Sequence, residues 1–194
     1  MKPRSPSSII SRRLVAKTKI KTAARTLSTS AKSKGGSAQV AIDIDANRRL
    51  LNRYRFVQPE NMRILAGWLP QAAAFELKCE MGRSLWENAV QVNALYLRLR
   101  EIQSPAFQKP TDAALVTLME ELRHAPDEFG LILGIYHVII PSLIAALVSH
   151  ETATFPNSDL PSVYAIQHAL LDLRAQQKRI EPLLTAAARA GKIT

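Results

Sequence analysis

The chain has 194 residues, enough for one ordinary domain and a tail, and a formal net charge of +10. All of the excess charge lies in residues 1–41, which contain ten Lys or Arg and no acidic residue, whereas residues 42–194 contain 16 residues of each sign. The basic composition is therefore no evidence that the folded part binds nucleic acid. The single cysteine, Cys79, excludes an internal disulfide framework and a cysteine-rich zinc site.

Residues 1–41 are rich in Ser, Thr, Lys and Arg, and we expect residues 1–45 to be a disordered basic tail before a helical domain over residues 46–194. Three roles of the tail remain open. A mitochondrial presequence fits the composition and a weakly amphipathic run of apolar residues, Ile10, Leu14, Ala24 and Leu27. A cationic arm would bind nucleic acid or an anionic surface, and a solvated tail would bind neither. The expected location is the mitochondrial matrix for a presequence and the cytoplasm otherwise.

Pro59 divides the first helical stretch, so we expect two short helices over residues 45–56 and 60–69. Residues 71–103 contain no proline and repeat large apolar side chains at helical spacing, which predicts the central helix of the domain. A second stripe along this helix is polar and consists of Glu76, Glu80, Arg83, Glu87 and Gln91. We interpret this stripe as solvated, with its arginine paired locally to a carboxylate.

Thr111 is the expected N-cap of a short helix over residues 112–124. A longer helix is expected over residues 127–154, and its centre, residues 131–148, is apolar on nearly every side and long enough to span a membrane. We favour a buried bundle helix and expect no transmembrane segment. The reasons are that a histidine, a proline and a serine interrupt the apolar stretch and that no basic cluster flanks it.

The last helix is expected to begin near Leu160, with Asp159 as its cap, and Pro182 is expected to break or bend it. The sequence contains no alternating run of apolar and polar residues long enough to support a sheet. These patterns together predict an all-α domain.

Five residues are candidates for chemistry in the interior of the domain: Glu80, Glu87, His137, His168 and Asp172. The two glutamates lie seven residues apart on one helix face, a spacing that can bind a metal ion or support acid–base catalysis. The first histidine lies in the most apolar segment, where we expect a neutral core side chain, and a proline four residues later predicts an irregular helix there. The second histidine and the aspartate are four residues apart and can form an oriented pair, but no nucleophile accompanies them.

One Glu-x-x-His motif, Glu121 to His124, matches the pattern by which helical bundles bind metals. The motif lies in the last turn of a short helix, where a histidine is favourable without any metal. We therefore interpret it as structural, and we expect no metal and no other cofactor.

Residues 60–180 resemble a ferritin-like group of helical proteins. The segments that carry the resemblance are Leu85-Trp86-Glu87-Asn88-Ala89, the Leu-x-Leu-Arg-x-Arg-Glu-Ile ending over residues 95–102, and the stretches over residues 126–150 and 159–173. The resemblance implies a four-helix-type bundle of antiparallel helices.

In metal-bearing members of that group an acid-x-x-His motif is expected on the helices. The corresponding positions in this chain read Asn88-Ala89-Val90-Gln91 and Leu173-Arg174-Ala175-Gln176. Amides and an arginine are poor substitutes for the ligands of a di-iron or di-manganese centre. The resemblance therefore implies the ferritin-like architecture without a complete metal site.

The leading functional hypothesis is a non-catalytic helical scaffold or interaction module that associates with itself or with a protein partner. The first alternative is an oxidase- or oxygenase-like enzyme that holds iron or manganese and a small molecule between the helices, near Glu80, Glu87, His137 and His168. A third hypothesis is a binder of nucleic acid or an anionic surface that acts through residues 1–41.

Overall fold

The computed structural model describes residues 42–104, 112–154 and 156–189, without the side chains of residues 156–158 and 187–189. Five helices account for most of these residues: α1 Ile44–Trp68, α2 Phe75–Glu101, α3 Ala113–Arg123, α4 Glu128–Ala153 and α5 Pro156–Arg189. No strand occurs in these ranges, so the predicted all-α class is confirmed. The predictions for residues 1–41 of the basic tail concern residues outside them, whereas α1 already begins at Ile44, inside the predicted tail.

Helix α1 is one continuous helix, so the prediction of two short helices separated by Pro59 is wrong. Asp43 caps its first turn, where Oδ1 accepts a hydrogen bond of 2.6 Å from the backbone N–H of Ala46. Side chains on both sides of the proline are fully buried, including Leu51 and Ile64. Burial of each such side chain contributes about 1.5–3 kcal/mol, and together they outweigh the cost of about 3 kcal/mol for an internal proline.

Helix α2 begins at Phe75 and ends at Glu101, inside the limits predicted for the central helix. Its apolar core side chains include Leu77, Met81 and Leu95. Several polar side chains of α2 are buried on the same side of the helix: Glu80, Ser84, Glu87, Asn88 and Gln91. The expectation that the polar stripe is solvated is therefore wrong for most of its members.

Helix α3 covers α1 and is capped by Asp112, whose Oδ1 accepts a hydrogen bond of 3.1 Å from the N–H of Leu115. The prediction of Thr111 as the cap is wrong by one residue, because the aspartate is the side chain placed to accept this bond. Arg53 of α1 forms an ion pair of 2.7 Å with the same aspartate, which fastens the start of α3 to α1.

Helix α4 contains a π-helical turn, Ile135–Ile139, immediately before Pro141. The N–H of Ile140 bonds to the carbonyl of Ile135, five residues earlier. Pro141 has no N–H to donate to the carbonyl of Tyr136, which instead accepts a hydrogen bond of 3.5 Å from the side chain of Gln177. The irregularity predicted from the proline is thus present, and a side chain of α5 compensates for the missing donor.

By length and composition α4 qualifies as a possible membrane span, with a mean hydropathy of 2.4 over its most apolar window. More than half of that window, 56%, is buried against the other helices. Its side chains Leu131, Ile139 and Leu143 are fully buried. This packing is what the buried-helix interpretation predicts.

Helix α5 follows α4 closely. The backbone of Asp159 is not helical, and its Oδ1 accepts a hydrogen bond of 3.2 Å from the N–H of Ser162, as expected of a cap. The helix continues through Pro182, so the break considered there is absent.

Three pairs of helices pack side by side: α1 with α2, α2 with α5, and α4 with α5. The two helices of each pair run in opposite directions, because successive hydrogen bonds advance along one helix and retreat along the other. These bonds join Arg48 to Ile102 and Gln58 to Gln91, then Arg98 to Ser162 and Asn88 to Gln176, and finally Gln167 to Glu151 and Gln177 to Tyr136. The polar residues of α2 consequently face α5 and the interior.

Candidate functional site

The most concentrated group of buried charges lies where α2 meets α5. Glu80, Ser84 and Glu87 occupy successive turns of one face of α2 and are 8%, 0% and 5% exposed. Arg179 of α5 and Tyr136 of α4 complete the group. We call these five residues the carboxylate cluster.

Arg179 bonds to both glutamates of the cluster. Its Nε lies 2.9 Å from each carboxylate oxygen of Glu80, and its Nη2 lies 2.7 Å from Oε2 of Glu87. Partial burial alone would lower the pKa of Arg179, but the hydrogen bonds and charges of the two glutamates raise it above its ordinary value. The arginine therefore remains charged, and it joins two carboxylates that would otherwise repel each other.

Arg83 balances the remaining charge from the surface side. Its Nε lies 3.1 Å from Oε1 of Glu87, as the spacing of four residues on one helix predicts, although its side chain is 60% exposed. Together with Arg83, the cluster contains two carboxylates and two guanidinium groups and is formally neutral. The local pairing predicted for Arg83 is confirmed, but its partner is a buried carboxylate.

Tyr136 links the cluster to the π-helical turn of α4. Its hydroxyl donates to Oγ of Ser84 at 3.1 Å, and that serine donates to Oε1 of Glu80 at 3.3 Å. Burial raises the pKa of the Tyr136 phenol above its ordinary value. The phenol therefore stays protonated and acts as a donor in this chain of hydrogen bonds.

A layer of amide side chains lies next to the carboxylate cluster and consists of Gln58, Asn61, Asn88, Gln91 and Gln176, all buried. We call it the amide layer. Its hydrogen bonds run from Gln58 to Gln91, from Gln91 to Asp172 at 3.1 Å, and from Gln176 to Asn88 at 3.2 Å. The amide oxygens of Gln58, Asn61 and Gln176 have no partner among the residues that the structure describes. The layer supplies neutral oxygens and nitrogens, and Asp172 is a carboxylate bonded to it.

A second group containing charged side chains, the end cluster, joins the same two helices at the other end of their contact. It consists of Asn47, Arg98, Asp159 and Ser162. Arg98 lies 2.6 Å from Oδ1 of Asp159 and donates to Oγ of Ser162 at 2.8 Å, while Asn47 donates to Oδ2 of the aspartate. The arginine here comes from α2 and the acid from α5, the reverse of the carboxylate cluster.

His150 is buried beside the end cluster and was not a candidate from the sequence. It is 2% exposed, its two ring nitrogens have no partner in the described ranges, and its ring lies 5.7 Å from that of Tyr54. Burial lowers its pKa from 6.5 to about 4, while the charge of Asp159 acts in the opposite direction. Its spacing from Leu143 and Leu147 is the sequence signal that would have placed it on the core face.

The remaining sequence candidates do not converge on the two buried glutamates. His137 is on the surface, with its ring nitrogen 3.7 Å from Glu181, so the expectation of a core histidine is wrong. Tyr136 faces the core, and the next residue along the helix lies outside. His168 is exposed and its ring lies 4.3 Å from that of Tyr164, whereas Asp172 accepts a hydrogen bond from the amide layer.

The Glu-x-x-His motif of α3 has no interior role. His124 is exposed and lies 3.4 Å from Glu120, a residue outside the motif.

The donor set does not fit the iron or manganese pair that a ferritin-like bundle implies. No group of three His, Cys, Asp or Glu side chains able to hold a metal ion occurs within residues 42–104, 112–154 and 156–189. Both buried glutamates already pair with Arg179, and the neighbouring side chains are amides, which are weak ligands for these metals. A divalent ion added to the neutral cluster would also introduce uncompensated positive charge.

Comparisons with known proteins add no assignment, since the chain matches no protein-family model, no curated protein and no solved structure. The ferritin-like resemblance thus remains a prediction from the sequence segments that carry it.

Proposed function

We propose that the protein is a non-catalytic helical scaffold or interaction module with ferritin-like architecture. The directions of the helix pairs support this arrangement: α1 runs opposite to α2, α2 runs opposite to α5, and α5 runs opposite to α4. Helices α2 and α4 therefore run in the same direction, which requires a long connection between them, and α3 lies in that connection. One long crossover of this kind is typical of ferritin-like bundles.

The observation that carries the proposal is the position of Arg179 between Glu80 and Glu87. In ferritin-like metal proteins, inward-facing carboxylates and histidines bind two metal ions. Here an arginine from the facing helix supplies the positive charge. The carboxylates are thereby fixed in a structural role, and neither exposed histidine candidate is available to them as a base or ligand.

The outer surfaces of α2 and α5 support an interaction role. Phe75 and Trp86 are 74% and 69% exposed, and they lie along one side of α2 with the exposed Val90 and Leu97. Helix α5 exposes three more large apolar side chains, Leu160, Tyr164 and Leu171. Scattered apolar residues are ordinary on a surface, but aligned aromatic and aliphatic side chains are typical of protein contacts.

Metal analysis of the purified full chain tests the proposal. We expect iron and manganese each far below one ion per chain, and no change in metal content in Glu80→Ala or Glu87→Ala. Near-stoichiometric iron or manganese that either substitution removes would contradict the scaffold and support the oxidase or oxygenase alternative.

Self-association is tested separately by light scattering over a range of protein concentrations. If α2 provides the contact, Trp86→Glu lowers the average mass toward that of one chain, whereas Lys178→Glu, an exposed change on α5, leaves it unchanged. A monomeric wild-type chain would instead direct the search to a different protein partner.

A further inference from the structure

We propose that Arg179 is a built-in cation that takes the position of a metal ion, so that removal of its side chain turns Glu80 and Glu87 into a site for a divalent, oxygen-seeking cation. The inference rests on the proposed function, in which the native chain binds no metal at this position. Beyond that function, the inference names the class of ion that the two carboxylates bind when the arginine side chain is removed.

The two carboxylates converge on one cation. Glu80 and Glu87 lie two turns apart on α2, a rise of about 10 Å along the helix axis. Even so, three of their oxygens lie within 2.7–2.9 Å of two nitrogens of one guanidinium group. Both side chains are therefore directed toward one point between α2 and α5, which is the geometry that a shared cation requires.

The charge balance of the two carboxylates depends on Arg179. Loss of Arg179 leaves two buried carboxylates with only Arg83, which lies toward the solvent and contacts Glu87 alone. A buried charge without a partner is strongly unfavourable, so the emptied position attracts a new cation. A divalent ion would occupy the space of the deleted side chain and complete its coordination with water.

The chemistry of the donors selects the class of ion. The groups around the position are carboxylate oxygens and the hydroxyl of Ser84, which bonds to Glu80 at 3.3 Å. Oxygen ligands of this type prefer Mg²⁺, Ca²⁺ and Mn²⁺. Both histidine candidates are exposed and contact other residues, His137 near Glu181 and His168 against Tyr164, so the position lacks the imidazole or thiolate ligands that most protein zinc sites use.

Manganese binding to the full-length Arg179→Ala variant tests the inference, because the electron paramagnetic resonance signal of free Mn²⁺ falls as the ion binds. We expect one Mn²⁺ per chain, bound at least about tenfold more tightly than by the wild type, since an uncompensated carboxylate pair replaces an ion-paired one. Arg174→Ala removes an exposed arginine of the same helix and should behave like the wild type.

Two further variants locate the bound ion. Adding Glu80→Gln or Glu87→Gln to Arg179→Ala should weaken Mn²⁺ binding by at least about tenfold, because each substitution replaces an anionic ligand with a neutral one. Should Arg179→Ala be unfolded in chelator, Mn²⁺ should restore its helical circular dichroism, because an ion that binds only the folded state stabilises it. Guanidinium at low millimolar concentration should compete with Mn²⁺ in this variant.

The possible outcomes separate this inference from the proposed function. If Arg179→Ala binds Mn²⁺ no more tightly than the wild type, or if the glutamine substitutions have no effect, the inference is wrong and the scaffold proposal is untouched. If Arg179→Ala is unfolded in chelator and Mn²⁺ does not restore its helical circular dichroism, the inference is also wrong. If the wild type itself binds Mn²⁺ stoichiometrically and tightly through Glu80 and Glu87, the proposed function and the inference both fail.

Discussion

The carboxylate cluster and the end cluster join the same two helices with opposite arrangements of charge. In the carboxylate cluster α2 supplies two acids and α5 supplies Arg179, whereas in the end cluster α2 supplies Arg98 and α5 supplies Asp159. Turning α5 end over end would place acids against acids and arginines against arginines. We infer that these buried charges favour the observed relative direction and register of α2 and α5, the best-attested role of buried polar groups.

The two clusters also differ in the number of hydrogen-bond partners that each acid has besides its arginine. Asp159 caps α5 and accepts hydrogen bonds from Asn47 and from the N–H of Ser162 in addition to its arginine. Glu80 depends on Arg179 and one serine hydroxyl. The carboxylate cluster is therefore the more sensitive of the two to loss of its arginine.

Substitution of Arg179 by Met should be the most damaging change to this arrangement. We expect the free energy of unfolding to fall by about 4 kcal/mol, because the substitution leaves two buried carboxylates without their cation. Urea unfolding in the presence of chelator measures the loss. Arg174→Met is the control on the same helix and should change the free energy by less than about 0.5 kcal/mol.

Acidification should lower the stability of the fold through His150, which lies beside the end cluster. The unfolded state takes up a proton near pH 6.5, whereas the buried imidazole resists protonation until the pH reaches about 4. Stability should therefore fall as the pH drops from 6.5 toward 4, by up to about 3 kcal/mol from this residue. The pH dependence should be shallower in His150→Leu and unchanged in His168→Leu, which removes an exposed histidine; equal slopes in all three proteins would refute the assignment.

Substitution of Arg98 by Met should cost about 2 kcal/mol, roughly half the effect at Arg179, because Asp159 retains its other hydrogen bonds. The same urea measurement gives the comparison directly. An effect as large as that of Arg179→Met would mean that the capping bonds do not support the aspartate.

The smallest effect is expected for Ser84→Ala, about 1 kcal/mol, since the buried hydroxyl of Tyr136 loses its hydrogen-bond partner. In a Tyr136→Phe background the same change should cost less, because no hydroxyl is left unpaired. Additive losses in the double variant would show that the bond contributes nothing measurable.

The helices were largely predictable because their ends depend on nearby residues. Asp127 and Asp159 cap α4 and α5, and Pro141 follows the irregular turn in α4. Pro59 misled the prediction, since its local cost is smaller than the burial on either side of it. That balance depends on contacts with the other helices, which a local pattern does not contain.

The site was less predictable because its partners are distant in the sequence. Glu87 and Arg83 are four residues apart and their pairing was predicted, but Arg179 is 99 residues from Glu80. Charged residues at helical spacing usually face solvent, so the interior position of the two glutamates could not be read without their partner. The surface position of His137 was also missed, because the segment around it is so apolar that the sequence pattern does not separate its outer face from its inner face.

A double-mutant cycle between Glu80 and Arg179 measures whether the arginine is the resident cation of the buried carboxylates. The cycle compares Glu80→Gln, Arg179→Met and the double variant by urea unfolding of the full chain in chelator. We predict a favourable coupling energy of at least about 2 kcal/mol, so that Glu80→Gln costs much less once Arg179 is absent. A coupling within about 0.5 kcal/mol of zero would contradict the account.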